Sequence, residues 1–124
     1  MITIDESSPV PVFDQICHQL DGLIRTGLLP AEHKLPSVRQ LAADLQIAPG
    51  TVLRAYAELD TKGLIETRRG RAARVKPHQQ VPADVVAAAR ALADAAHANR
   101  IDLTSALGAV RALWDKGSSS ATLF

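Results

Sequence analysis

The chain has 124 residues, of which 47% are apolar and only 3% aromatic, so we expect one small domain with an aliphatic core, with or without an appendage. A single cysteine excludes an internal disulfide, and no apolar run approaches the roughly 18 residues that a membrane helix needs. The net charge of +1 is unevenly distributed, because residues 34–76 carry nine Lys and Arg against four Asp and Glu. This basic block indicates a polyanionic partner, and since the N-terminus does not resemble a signal sequence, we expect a cytoplasmic protein.

The first predicted helix follows an extended arm that contains two prolines and ends at residue 11. From there apolar residues repeat with helical spacing, and Gly27 stops the helix. The apolar face consists of Val12, Phe13, Ile16, Leu20, Leu23 and Ile24. Cys17 lies within this pattern, so we expect a small core residue rather than a reactive thiol. Residues 28–36 are predicted to be a connector.

Two short helices separated by a few residues come next, which is the pattern of a helix-turn-helix. Ser37 and Gln40 have capping-box spacing, in which each side chain bonds to a backbone N–H group of the first turn. Pro49 suits the first turn of the following helix, predicted at about residues 49–62. The residues expected to face inward are Val52, Ala55, Tyr56 and Leu59.

A basic hairpin is predicted over residues 64–76, and we call this segment the wing. Two short extended stretches flank the sequence Arg-Arg-Gly-Arg, in which Gly70 can adopt the positive φ of a tight turn. Leu64 and Ile65 are expected to anchor the wing in the core. The predicted fold class is therefore mainly α with a small β-hairpin, a winged helix-turn-helix over residues 9–76.

A second, helical part follows a polar linker predicted at residues 77–84. Two helices are expected within residues 85–116, with Asp102 as N-cap of the second, and a flexible tail over residues 117–124. Two helices alone cannot bury both faces, so we expect this segment to pair with a second copy, although packing against residues 9–76 stays open. The predicted dimerisation residues are Val86, Leu92, Leu103, Leu107, Val110, Leu113 and Trp114.

No pattern in the sequence predicts catalysis. The histidines His18, His33, His78 and His97 are scattered and have no partner at ligand spacing, so we expect no metal site. A glycine-rich phosphate loop and a nucleophile elbow are also missing, so we expect neither an enzyme nor a cofactor. The sequence leaves open whether a small-molecule effector exists.

Several residues of the helix-turn-helix and the wing favour nucleic-acid binding. Arg39 is suited to a phosphate contact, and Thr51 can bind a phosphate or touch a thymine methyl. Arg54 can bind a phosphate or guanine, or instead pair with Glu58 four residues later. The candidate DNA-binding residues are Ser37, Arg39, Pro49, Gly50, Thr51, Arg54, Arg68, Arg69, Gly70 and Arg71. A protein-interaction module whose arginines meet an acidic partner is the alternative.

The elements Leu-Pro-Ser-x-Arg, Thr-Val-x-Arg-Ala-Tyr and Gly-Leu-Ile-Glu-Thr-Arg-x-Gly occur in order within residues 35–70. With the preceding helix they resemble the DNA-binding domain of GntR-type bacterial transcriptional regulators, and the short helical segment is similar to that of the YtrA-like branch. Ala48, without the usual cap, and the Ala-Ala-Arg-Val end of the wing depart from the family pattern.

The resemblance implies a homodimer bound to double-stranded DNA at an inverted-repeat operator. The helix at about 49–62 and the wing at 64–76 would make the contacts, and Arg39, Thr51, Arg69 and Gly70 match the family's DNA-contacting positions. We therefore expect a transcriptional regulator, and a repressor rather than an activator.

Overall fold

The computed structural model describes residues 2–68, 70–77 and 80–118, and this part of the chain contains five helices and one two-stranded antiparallel sheet. In chain order they are α1 (Val12–Arg25), α2 (Val38–Leu45), α3 (Pro49–Thr61), β1 (Ile65–Glu66), β2 (Arg74–Val75), α4 (Ala83–Ala98) and α5 (Leu103–Ser118). The chain divides between Val81 and Pro82 into two compact units. The predicted fold class is confirmed.

The core of the first unit lies where α1 and α2 pack against α3. The buried face of α3 is the one predicted, Val52, Ala55, Tyr56 and Leu59. Cys17 is 1% exposed, as predicted for a core residue, and burial raises the pKa of its thiol. Leu64 and Ile65 are both buried, so the wing is anchored as expected.

The two helices of the helix-turn-helix begin in different ways. At α2 the Ser37 Oγ accepts a hydrogen bond from the Gln40 N–H at 3.0 Å, so this half of the predicted capping box forms. The other half is wrong, because the Gln40 side chain donates instead to Asp44 Oδ1 at 2.8 Å, one turn later. At α3 Pro49 occupies the first turn, and Ala48 supplies no side-chain cap.

The connector before α2 contains a strand-like stretch that the sequence did not predict. The Glu32 N–H donates to the Val75 carbonyl and the Leu35 N–H to the Ala73 carbonyl, each at 2.8 Å, and Val75 donates back to His33 at 3.0 Å. On the opposite edge of β2, Val75 pairs with Ile65 of β1. The second strand of the wing, β2, therefore has a backbone partner on each of its two edges.

The second unit consists of α4 and α5. Asp102 Oδ1 accepts from the Ser105 N–H at 2.8 Å, which confirms the predicted N-cap. The helices extend two residues beyond the predicted segment 85–116 at each end, so residues 83 and 84 are not linker and residues 117 and 118 are not tail. The remaining tail residues, 119–124, lie outside the described residues. Among the described side chains of this unit only Ala106 is buried.

None of the helices in the described part of the chain is long and apolar enough to cross a membrane.

Candidate nucleic-acid interface

The starts of α2 and α3 present most of the predicted contact residues at the surface of the first unit. Arg39 is exposed in the first turn of α2, and within the described residues its side chain has no ion-pair partner. Pro49 and Gly50 are exposed at the start of α3, and Thr51 is half-buried. Because no side chain caps α3, the N–H groups of its first turn are not satisfied by a side-chain acceptor.

Arg54 takes a position that the sequence did not predict. Its guanidinium carbon lies 3.7 Å from the centroid of the Phe13 ring on α1, in the geometry of a cation–π interaction. An ion pair between Arg54 and Glu58 does not form in the structure as described. DNA binding by Arg54 and its pairing with Glu58 therefore both compete with an intramolecular contact that holds the side chain against α1.

The wing turn has the predicted conformation, but part of its charge is neutralised. Gly70 has a φ of +76°, and the Arg71 N–H donates to the Arg68 carbonyl at 3.1 Å. Arg68 forms an ion pair with Glu66, and the Arg74 side chain donates to the Glu32 carbonyl at 3.3 Å. Arg69 lies outside the described residues. Arg71 is exposed, and no described carboxylate pairs with it, so it is free to meet a phosphate.

A groove of about 460 Å3 separates α3 from the wing. It brings together three of the predicted DNA-binding residues, Ser37, Gly70 and Arg71. Tyr56 also lines the groove, and its hydroxyl donates to the Pro36 carbonyl at 2.8 Å. Burial raises the pKa of Tyr56 from 10.0 to about 12, so the hydroxyl keeps its proton and this hydrogen bond at a higher pH than an exposed tyrosine would. As predicted, Tyr56 is a core residue.

Sequence reasoning missed Leu53, which lines the same groove and is 60% exposed. One signal was available, because Leu53 is apolar but falls outside the buried set of α3 at positions 52, 55, 56 and 59. It also missed Phe13 as a partner of Arg54, for which a single sequence carries no signal.

The predicted dimerisation residues fall into two classes. Val86 and Leu92 on α4 are half-buried. The residues on α5 are exposed, most of all Leu103 at 72%, Leu113 at 69% and Trp114 at 72%. Leu107 and Val110 are exposed as well. The second unit therefore carries a contiguous set of apolar side chains along α5 that its own two helices leave uncovered.

Metal ligands do not converge in the part of the chain that the structure describes, where no group of three or more His, Cys, Asp and Glu side chains lies together.

Comparison with known proteins gives a consistent result. The family model for bacterial regulatory proteins of the gntR family matches residues 13–75. The HTH-type transcriptional repressor YtrA of Bacillus subtilis is 46% identical over 71 residues, which is 57% of this chain and 55% of that protein. The HTH-type transcriptional regulator Rv1152 of Mycobacterium tuberculosis is 42% identical over 67 residues, which is 54% of this chain and 55% of that protein. The chain thus spans about half the length of the curated relatives it matches.

Solved structures agree with the sequence matches. YtrA from Sulfolobus acidocaldarius, a GntR-family transcription factor, superposes with a TM-score of 0.59 at 38% identity, covering 74% of this chain and 97% of that one. The DNA-binding domain of AraR, solved in complex with operator ORX1, superposes with a TM-score of 0.53 at 20% identity over 59% of this chain and 90% of that one. The AraR likeness shows a shared fold.

Proposed function

The chain belongs to the GntR family of bacterial regulatory proteins, and on that premise we propose that it is a homodimeric, sequence-specific DNA-binding regulator of transcription. Its family consists of transcriptional regulators rather than enzymes, in agreement with the sequence. Such a regulator acts in the cytoplasm, where the DNA is.

The observation that carries the proposal is the surface around the groove between α3 and the wing. Ser37, just before α2, lines this groove beside α3 together with Gly70 and Arg71 of the wing. Arg39 and Arg71 have no ion-pair partners within the described residues, and residues 34–76 have a net charge of +5. A helix exposed beside unpaired arginines suits a duplex, because the helix fits the major groove and the arginines meet phosphates.

The exposed apolar side chains of α5 support the homodimer. Leu103, Leu113 and Trp114 are each more than two-thirds exposed, and a contiguous apolar surface of this kind commonly marks an interaction site. A second copy of the chain supplies the same surface, and a two-fold axis then relates the two copies. A two-fold dimer requires an operator with inverted-repeat symmetry, with half-sites about one helical turn, or roughly 34 Å, apart. Packing of these side chains on the chain's own first unit is the alternative.

The direction of regulation is proposed from a relative. YtrA of Bacillus subtilis is a transcriptional repressor, and it is 46% identical to this chain over the matched part. We therefore propose repression, in which the bound dimer blocks access to the promoter.

A gel-shift experiment tests the function directly. The full chain is titrated onto duplexes that flank its own gene, with random-sequence duplex as competitor. A shifted complex that survives a large excess of competitor is expected, and its affinity falls as salt rises because phosphate contacts release counterions. A complex that random DNA removes as easily as specific DNA would contradict the proposal and favour a protein-interaction module.

A further inference from the structure

Three of the exposed residues along the middle of α3 are small or apolar. Gly50, Leu53 and Ala57 are spaced three and four residues apart, so they lie on one face of the helix, and all three are exposed. None of them has a side chain that can donate or accept a hydrogen bond. Leu53 is the largest of the three and is 60% exposed.

Leu53 lies among the polar and charged groups expected to meet DNA. It lines the groove between α3 and the wing together with Ser37 and Arg71. A single exposed leucine needs no explanation by itself. Here, however, the leucine lines the same groove as the unpaired Arg71. An apolar side chain near a free cation suits a duplex, in which base edges lie between two phosphate backbones.

The neighbouring arginine does not supply the base contact. Arg54, the next residue, is able to form two hydrogen bonds with guanine. Its guanidinium instead lies over the Phe13 ring at 3.7 Å, on the side of α3 that faces α1. Leu53 is therefore the side chain that α3 presents toward the groove at its midpoint.

We propose that Leu53 is a specificity-determining residue that recognises the C5-methyl group of a thymine in the major groove. Among the four bases, thymine alone places an apolar group on its major-groove edge, and an exposed leucine complements that group. This inference rests on the proposed function, since it names the base chemistry that the same DNA surface selects. Each half-site then contains a thymine whose methyl group contributes to affinity.

The test removes only the methyl group. The tightest duplex is first selected from a random library with the wild-type protein. Each thymine is then replaced singly by deoxyuridine, which keeps every hydrogen-bonding group and lacks the methyl. We expect an affinity loss of about four-fold at one thymine per half-site, the equivalent of one buried methyl group. In Leu53→Ala the same replacement changes affinity by less than about two-fold, because the contact is already lost.

Leu28→Ala is the matched control, because Leu28 is 55% exposed in the first unit but does not line this groove. This variant keeps the wild-type sensitivity to deoxyuridine. The proposal is overturned if no single thymine is sensitive, or if Leu53→Ala keeps the full sensitivity. A Leu53→Ala protein that binds every duplex as the wild type does also overturns it and assigns the leucine to another surface. A selection that enriches no sequence contradicts the proposed function itself, and this inference with it.

Discussion

The guanidinium carbon of Arg54 lies 3.7 Å from the centroid of the Phe13 ring, so a side chain of α3 is held against the first turn of α1. Arg54 stays exposed, and the contact therefore keeps its charge at the surface while fixing its direction. Beside Arg54, the exposed face of α3 carries the small or apolar residues Gly50, Leu53 and Ala57. The Phe13 ring thus holds the guanidinium of Arg54 on the side of α3 that packs against α1.

The Arg54–Phe13 contact should be measurable as a coupling energy. A double-mutant cycle with Phe13→Leu and Arg54→Gln is expected to give about 0.5 to 1 kcal/mol, the range for cation–π pairs at exposed sites. Urea denaturation of the four proteins measures it. Phe13→Tyr is the control, because it keeps the ring. Strictly additive effects of the two substitutions would show that the stacking contributes nothing to stability.

The unpaired Arg71 should contribute one phosphate contact. Arg71→Ala is expected to weaken binding to specific and random duplexes alike and to reduce the slope of log affinity against log salt by about 0.9. Titrations at several salt concentrations measure both quantities. Arg90→Ala removes the same charge from α4 and should leave the slope unchanged. If Arg71→Ala and Arg90→Ala give the same salt slope, the wing does not contact the DNA backbone through Arg71.

Tyr56 should make stability depend on pH in the alkaline range. Burial raises its pKa from 10.0 to about 12, so the folded state holds the proton more tightly than the unfolded state. This stabilisation is fully present below pH 10, and it is lost as the pH rises toward 12. The loss is about 2 to 3 kcal/mol, as a shift of this size implies.

Tyr56→Phe isolates that effect. The variant is expected to lose about 1 kcal/mol at pH 7, because the hydrogen bond to Pro36 is removed. Its unfolding free energy should then fall less than that of the wild type between pH 10 and 12. Parallel curves for the two proteins over this interval would show that the Tyr56 hydroxyl does not titrate differently in the folded state.

The apolar surface of α5 should control assembly. Sedimentation equilibrium of the wild type is expected to give twice the chain mass of 13.2 kDa, whereas Leu103→Glu with Leu113→Glu gives the single-chain mass. Both leucines are exposed in one chain, so the glutamates should not unfold it, and circular dichroism checks this. Leu28→Glu serves as the control and should stay dimeric. A monomeric wild type would instead favour packing of α5 within the chain.

The elements that sequence predicted well are those specified by local chemistry. Helical spacing of apolar residues identified the buried face of α3, Ser37 and Asp102 marked helix starts, and Gly70 marked the wing turn. Each of these signals lies within a few residues of the structure that it specifies, so a single sequence is enough. The family assignment is confirmed over residues 13–75.

The features that sequence missed depend on contacts between distant residues. The pairing of Glu32 and Leu35 with the wing strand joins two segments on opposite sides of the helix-turn-helix, and the connector shows no alternating pattern that would predict a strand. The Arg54–Phe13 contact likewise depends on how α1 and α3 pack. The Gln40 side chain donates to Asp44, one turn later, because the carboxylate is a charged acceptor. The capping-box pattern covers only residues 37 to 40 and so does not include this competing acceptor.

Selection of duplexes from a random library by the full-length wild-type protein, followed by sequencing, tests the proposed function most directly. A homodimeric, sequence-specific regulator should enrich an inverted repeat whose two half-sites are centred about 10 base pairs apart, or somewhat displaced from that spacing. Enrichment of no sequence, or of a single half-site without its inverted copy, would contradict that function.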